Sequence, residues 1–312
     1  RRSSDLGRAL GSIVAKYKSH KYMGYSTYTK LFDSCVCPVM EYASGVWGYR
    51  NYSKINTVQH RAARSFLGVH RFTPTLALEG DMGWLIPKYR RWLQILRLWN
   101  RLVNMSDDRL TKHIFVNDYY LSMSNFENWC TNVYRILLVL HKDDLFYERQ
   151  PCDVDSALQS FFAIQEEQWK KAIDQKPKLR FYKMFKSKLV AENYVKYNLT
   201  PSQRSIIAQF RAGILPLNIE TGRFRNIKLE DRICTLCDQH EVESELHFLF
   251  ECSCYNHLRQ PWLQNICNSH MLFREMSTKE KLCILFDKSH RSTAKFILNC
   301  FNHRKDQLFQ KS

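Results

Sequence analysis

Residues 87–103, PKYRRWLQILRLWNRLV, carry the reading of the fold. Trp92, Leu93, Leu96, Trp99 and Val103 recur at helical spacing and make one apolar face, while Arg90, Arg97 and Arg101 fall on another. Pro87 sits at the first turn, where its missing N–H costs nothing. One segment upstream, residues 53–67 repeat the design. Ile55, Val58, Ala62, Phe66 and Leu67 form the apolar side, and Lys54, Arg61 and Arg64 the other. Ser53 suits an N-cap and Gly68 a stop. Helical readings extend over 26–44 with an interruption near Pro38, over 127–147, 154–173, 178–212 with Thr200 and Pro201 as cap and first turn, and 277–309. Residues 74–87, with Pro74, Gly80, Gly83 and Pro87, read as a linker. No segment alternates apolar and polar residues over a useful length. The expectation is a mainly α protein with a small irregular region.

Composition agrees. Ten Gly and eight Pro in 312 residues are few for a strand-and-turn protein, and 45% hydrophobic residues supply a core. No run of eighteen apolar residues occurs, so no membrane partner is expected. No signal peptide is visible, since Arg1-Arg2-Ser3-Ser4 is followed by no long apolar segment. The eleven cysteines are scattered through a long chain, which points to free thiols in a reducing intracellular compartment, nucleus or cytoplasm.

The formal net charge is +17, unevenly spread. Residues 1–110 hold 18 Lys and Arg against 7 Asp and Glu, a net of +11, while 111–200 hold 13 against 11 and 201–312 hold 16 against 12. A basic first third with two arginine-faced helices points to a polyanion, nucleic acid being the simplest. Lys54, Arg61, Arg64, Arg90, Arg97 and Arg101 are the candidate phosphate contacts; a solvated face is the competing account of the same pattern.

Irregular structure is expected where RICTLCDQHEVESELHFLFEC, residues 232–252, sets Cys234 and Cys237 two residues apart and follows them with His247 and Cys252. A C-x2-C turn places two sulfurs on one side of an ion, and a later His and Cys close a tetrahedron, a donor set that zinc accepts. Four protein ligands leave no position for water, so a structural Zn2+ is expected. His240 and Cys254 are further donors that could replace a ligand. No catalytic motif accompanies the site. Nucleotide-binding loops, nucleophile elbows and metalloprotease signatures are absent. Asp107-Asp108 and Asp143-Asp144 lie at helix ends in polar surroundings, where capping or solvation explains them, and no catalytic residue is assigned.

Several stretches together resemble one family. Residues 28–48 (YTKLFDSCVCPVMEYASGVWG), 55–69 (INTVQHRAARSFLGV) and 76–102 (LALEGDMGWLIPKYRRWLQILRLWNRL) resemble the thumb and its helical extension in reverse transcriptases of LINE-type non-LTR retrotransposons. Residues 178–195 (KLRFYKMFKSKLVAENYV), 206–224 (IIAQFRAGILPLNIETGRF) and 232–259 resemble the C-terminal region of the same elements, including its Cys-Cys-His-Cys zinc motif. The resemblance implies a thumb-like helical nucleic-acid-binding region over 1–110, a helical linker over 111–200 and a small zinc-stabilised region over 201–312. It implies contact with RNA, DNA or both through the backbone, and carries Cys234, Cys237, His247 and Cys252 as zinc ligands. The palm with its catalytic aspartates would precede Arg1, so the resemblance implies a truncated C-terminal part, not an enzyme by itself. A zinc-stapled helical protein-interaction module is the alternative, with protein partners unknown.

Overall fold

The computed structural model describes residues 2–20, 23–124 and 126–310. Among them are 17 α-helices, six short 3-10 or π turns and no β-strand, as the mainly α expectation requires. No described helix is long and apolar enough to cross a membrane. The chain groups into two compact units, the first from residues 1–13, 30–60 and 84–168, the second from 14–29, 61–83 and 169–312.

The first unit is organised by the helix Pro87–Val103. Its apolar face is buried as the spacing predicts: Leu96 and Trp99 are completely covered, Trp92 and Leu93 nearly so. They pack among Phe115 and Tyr119 of the helix Leu110–Met123, Val133, Ile136 and Leu137 of the helix Trp129–Val139, and Phe146, Ala157 and Phe161. Each fully buried aliphatic or aromatic side chain of this kind stabilises by roughly 1.5–3 kcal/mol. Polar atoms on the same helix are matched. Trp99 Nε1 donates to the Gln150 carbonyl at 2.9 Å, and Asn100 exchanges two hydrogen bonds with the backbone of Cys152. Gly48 permits a close approach. A Cβ there would lie 2.4 Å from the Ser44 carbonyl and 2.8 Å from Arg91 Cβ.

The second unit is built on aromatic packing around Phe181, Phe210, Phe248 and Phe286, with Trp262 stacked on Phe296 at 4.0 Å between ring centres. It also encloses a charged network. Arg211 Nη2 reaches Asp81 and Glu192, each at 2.9 Å, and Lys186 pairs with Glu192. The hydroxyls of Tyr182 and Tyr194 donate to the two Asp81 oxygens at 2.9 and 2.6 Å. Burial raises both tyrosines well above their ordinary range, and the Asp81 carboxylate adds to it.

Several local expectations change. The linker reading of 74–87 gives way to a helix, Thr75–Met82, with Ala77, Leu78, Asp81 and Met82 buried. Pro74 stands just before the helix as its N-cap, burial overrides the Gly80 signal within it, and Gly83 at φ 63 ends it. Of the helix expected over 178–212, the main part is Pro201–Arg211, opened by the expected cap: Thr200 accepts from the Gln203 N–H. Residues 177–199 instead form 3-10 turns and the short helix Asn193–Lys196, their polar groups drawn into the buried network. The helix expected over 127–147 breaks at His141, whose φ of 54 is left-handed, before a last turn at Asp144–Tyr147. The closing segment divides into Thr278–Cys283, a π turn over Ile284–Lys288, and the helix His290–Gln310.

Candidate metal centre and basic helix face

The cysteine-rich stretch folds as two small pieces that face each other within the second unit. In the first, Ile233 and Val242 form an antiparallel bridge. The Cys234 N–H donates to the Glu241 carbonyl and the Glu243 N–H to the Arg232 carbonyl, both at 2.9 Å. His240, at φ 54, helps turn the chain back between them. This brings Cys234 and Cys237 to one side. In the second piece, residues 247–251 form a π turn, closed by the Cys252 N–H donating to the His247 carbonyl at 2.8 Å. The widened turn matters. On a regular α-helix, residues five apart point about 140° away from each other. A π turn brings them closer to one face, so His247 and Cys252 both reach the sulfurs opposite.

The four donor atoms lie within 4.8 Å of one another. Cys234 and Cys252 sulfurs are 3.9 Å apart, and Cys237 Sγ is 3.4 Å from His247 Nε2. A tetrahedral ion with metal–sulfur bonds near 2.3 Å needs sulfurs about 3.8 Å apart and a sulfur–nitrogen edge about 3.5 Å long. The cluster therefore can hold a metal ion with little adjustment. Cys234, His247 and Cys252 are buried, and Cys237 is half-buried. His240 and Cys254 stay outside the cluster. The thiol that Cys252 directs at Cys234 pulls the Cys234 thiol down to about 3, while the same contact and burial push Cys252 up. Burial opposes charge on His247, but the Cys234 thiolate outweighs it and raises the imidazole. His247 Nε2, 3.4 Å from Cys237 Sγ, is the nitrogen that faces the sulfurs, while Nδ1 lies 3.6 Å from a Glu251 carboxylate oxygen, beyond hydrogen-bond reach.

Two buried arginines that the sequence reading passed over brace this centre. Arg259 donates from Nε to the Leu249 carbonyl at 2.8 Å and from Nη2 to the Cys252 carbonyl at 2.7 Å, satisfying the end of the π turn. Arg304 pairs with Glu243, whose other contacts are the Asn218 N–H at 2.7 Å and Cys234 Sγ at 3.9 Å. Phe248 and Leu249 are fully buried and Leu246 and Phe250 partly so, giving the apolar support that their sequence suggested.

The six basic candidates have different fates. In the first unit, Lys54, Arg97 and Arg101 are exposed. Arg97 and Arg101 also line a cavity of about 330 Å3 with Gly45, Val46 and Gln94. Arg90 is taken: its Nε donates to Glu41 at 2.8 Å and Nη1 to Asp33 at 2.9 Å. In the second unit Arg61 is exposed, whereas Arg64 is half-buried and donates to the Thr73 carbonyl at 3.3 Å. Arg91, which the periodicity left unassigned, is fully buried and donates to the Arg50 carbonyl at 2.9 Å.

Set against protein-family models, curated proteins and solved structures, the chain matches none of them.

Proposed function

We propose that this chain is the C-terminal part of a LINE-type retrotransposon reverse transcriptase, non-catalytic by itself, that grips nucleic acid through the backbone and carries a structural zinc. The observation that carries the reading is the convergence of Cys234, Cys237, His247 and Cys252. These are the residues that the resembling region would use, joined here by a π turn that no scattered set of buried cysteines requires. Three sulfurs and one imidazole suit a borderline-soft d10 ion, and zinc is the metal such a set selects. With all four positions filled by protein, the ion ties the bridge of 233 and 242 to the π turn and leaves no place for a substrate.

The grip rests on Arg97 and Arg101. They are exposed on the outer side of a helix whose other face is core, one turn apart, so both forks can meet successive phosphates. Contacts of this kind go to phosphates and read no base edge, so binding through them has little sequence preference. A double substitution, Arg97→Ala with Arg101→Ala, tests this on a duplex of mixed sequence. Each lost phosphate contact removes about 0.9 from the slope of log K against log salt. The double variant should therefore flatten it by about 2 and weaken binding to all duplexes alike. An unchanged slope would reduce the two arginines to a solvated face.

A second reading, a zinc-stapled protein-interaction module, has one observation in its favour. The helix Leu110–Met123 leaves Leu110, Ile114 and Leu121, which share one face, exposed. An apolar patch of this kind on a soluble surface marks a docking face. Salt-independent association of the chain with a protein, unaffected by Arg97→Ala and Arg101→Ala, would favour it.

A further inference from the structure

The second unit holds a cavity of about 680 Å3 unrelated to the metal centre. Tyr197, Lys288, His290, Arg291, Ser292 and Lys295 define its chemistry, over an apolar floor at Ile266. No Asp or Glu lines it. The 21-residue helix His290–Gln310 begins at this cavity, so the unpaired N–H groups of its first turn add positive potential there. Lys288 and Lys295 are exposed and, among the described residues, in no ion pair. Arg291 is anchored by one bond from Nη2 to the Asn198 carbonyl at 2.9 Å, which orients its guanidinium and leaves the other N–H groups available.

His290 shows that this is more than a charged surface. The residue is only 6% exposed. Its Nδ1 is held by the Asp287 carbonyl at 3.1 Å, and Nε2 has no hydrogen-bond partner among the described residues. The imidazole body is thus packed into the wall while Nε2, which is not among the buried unsatisfied atoms, stays open to the cavity and can take a ligand atom. Tyr197 completes the set. It is 60% exposed, yet its ring is set against His290, 4.8 Å between centres, which limits its freedom. A fixed, accessible aromatic ring beside a cluster of cations is the arrangement that binds one unpaired nucleotide, base on the ring and phosphates among the cations.

We propose that this cavity is a subsite for single-stranded nucleic acid: a base stacks on Tyr197 while its flanking phosphates are held by Lys288, Arg291, Lys295 and the start of the helix, with His290 hydrogen-bonding inside. A duplex cannot use it, because its bases are stacked on each other. The site deepens the nucleic-acid reading and rests on it, but through different residues from those that hold a duplex, so the two can fail separately.

The test uses the full chain and two probes, a fluorescent oligouridylate of about twelve nucleotides and a mixed-sequence duplex. Tyr197→Ala should weaken oligouridylate binding by about tenfold, and Tyr197→Phe, which keeps the stacking face, by less than about twofold. Lys288→Ala with Lys295→Ala should lower the salt slope for the oligouridylate by about 1.4, at about 0.7 per phosphate. Neither should alter duplex binding. Since Tyr197 is largely exposed, its replacement is compatible with folding, and an unchanged circular dichroism spectrum checks this. The proposal is overturned if Tyr197→Ala binds the oligouridylate like the parent, if Tyr197→Phe loses as much as the alanine variant, or if the parent ignores the oligouridylate while binding the duplex. An Arg97→Ala and Arg101→Ala chain that keeps its duplex affinity refutes the duplex grip alone. The subsite stands if that chain still loses oligouridylate binding on Tyr197→Ala.

Discussion

Replacing Arg304 by leucine exposes how the metal centre is held. Arg304 is 5% exposed and Glu243 1%, and the pair is bidentate, with Nη2 to Oε2 at 3.1 Å and a shorter contact between Nη1 and Oε1. The same Glu243 oxygen that meets Nη1 lies 3.9 Å from Cys234 Sγ. Removing the guanidinium would leave a buried carboxylate next to a thiolate. Two like charges at that separation repel by about 4 kcal/mol at an effective dielectric constant near 20. Breaking a buried pair by deleting one partner typically costs about 3–5 kcal/mol. Arg304→Leu should therefore lose about 3–5 kcal/mol in urea unfolding of the metal-loaded chain. Glu243→Gln with Arg304→Leu should recover most of it, because the amide carries no charge and its oxygen still accepts the Asn218 N–H. A loss below about 1 kcal/mol for the single variant would place the pair among surface ion pairs. A double variant no more stable than the single would show that packing, not charge, is what Arg304 supplies.

Metal analysis of the purified chain should find one zinc ion per chain, lost on Cys234→Ala with Cys252→Ala, and a chelator should abolish order around residues 232–252, since structural zinc contributes roughly 10–16 kcal/mol of apparent binding free energy in small peptides. Gly48→Ala should destabilise the first unit by about 1–3 kcal/mol, read as a lower thermal midpoint, because its Cβ would overlap the Ser44 carbonyl. Burial lowers the His290 imidazole below its ordinary value. Between that folded value and about 6.5 the unfolded chain binds the extra proton, so stability is full above about 6.5 and falls as the pH drops through the window. An NMR titration of His290 should give a midpoint below 6.5, and His290→Gln should flatten the fall of stability on acidification; a midpoint above 6.5 reverses the sign.

Residue order alone made legible whatever depends on neighbours along the chain. The apolar faces of 53–67 and 87–103 followed from a period of 3.6 residues, and the caps at Thr200 and Gly68 from residues within a turn of them. The metal cluster was equally legible. Its four donors lie within 19 residues, and C-x2-C restricts two sulfurs to one side whatever surrounds them. Which arginines face solvent was decided only in the folded chain. Arg90 and Arg97 share the helix Pro87–Val103, yet one is held by Asp33 and Glu41 and the other is exposed, because the partners come from 57 and 49 residues away. Arg211 finds Asp81 across 130 residues and Arg304 finds Glu243 across 61. Thr75–Met82 became helix because its residues are buried, against the signal of Gly80 within it. Periodicity reports which face of a helix is apolar. It carries no information about what is packed against the polar face, since that depends on contacts between residues that the chain brings together only by folding.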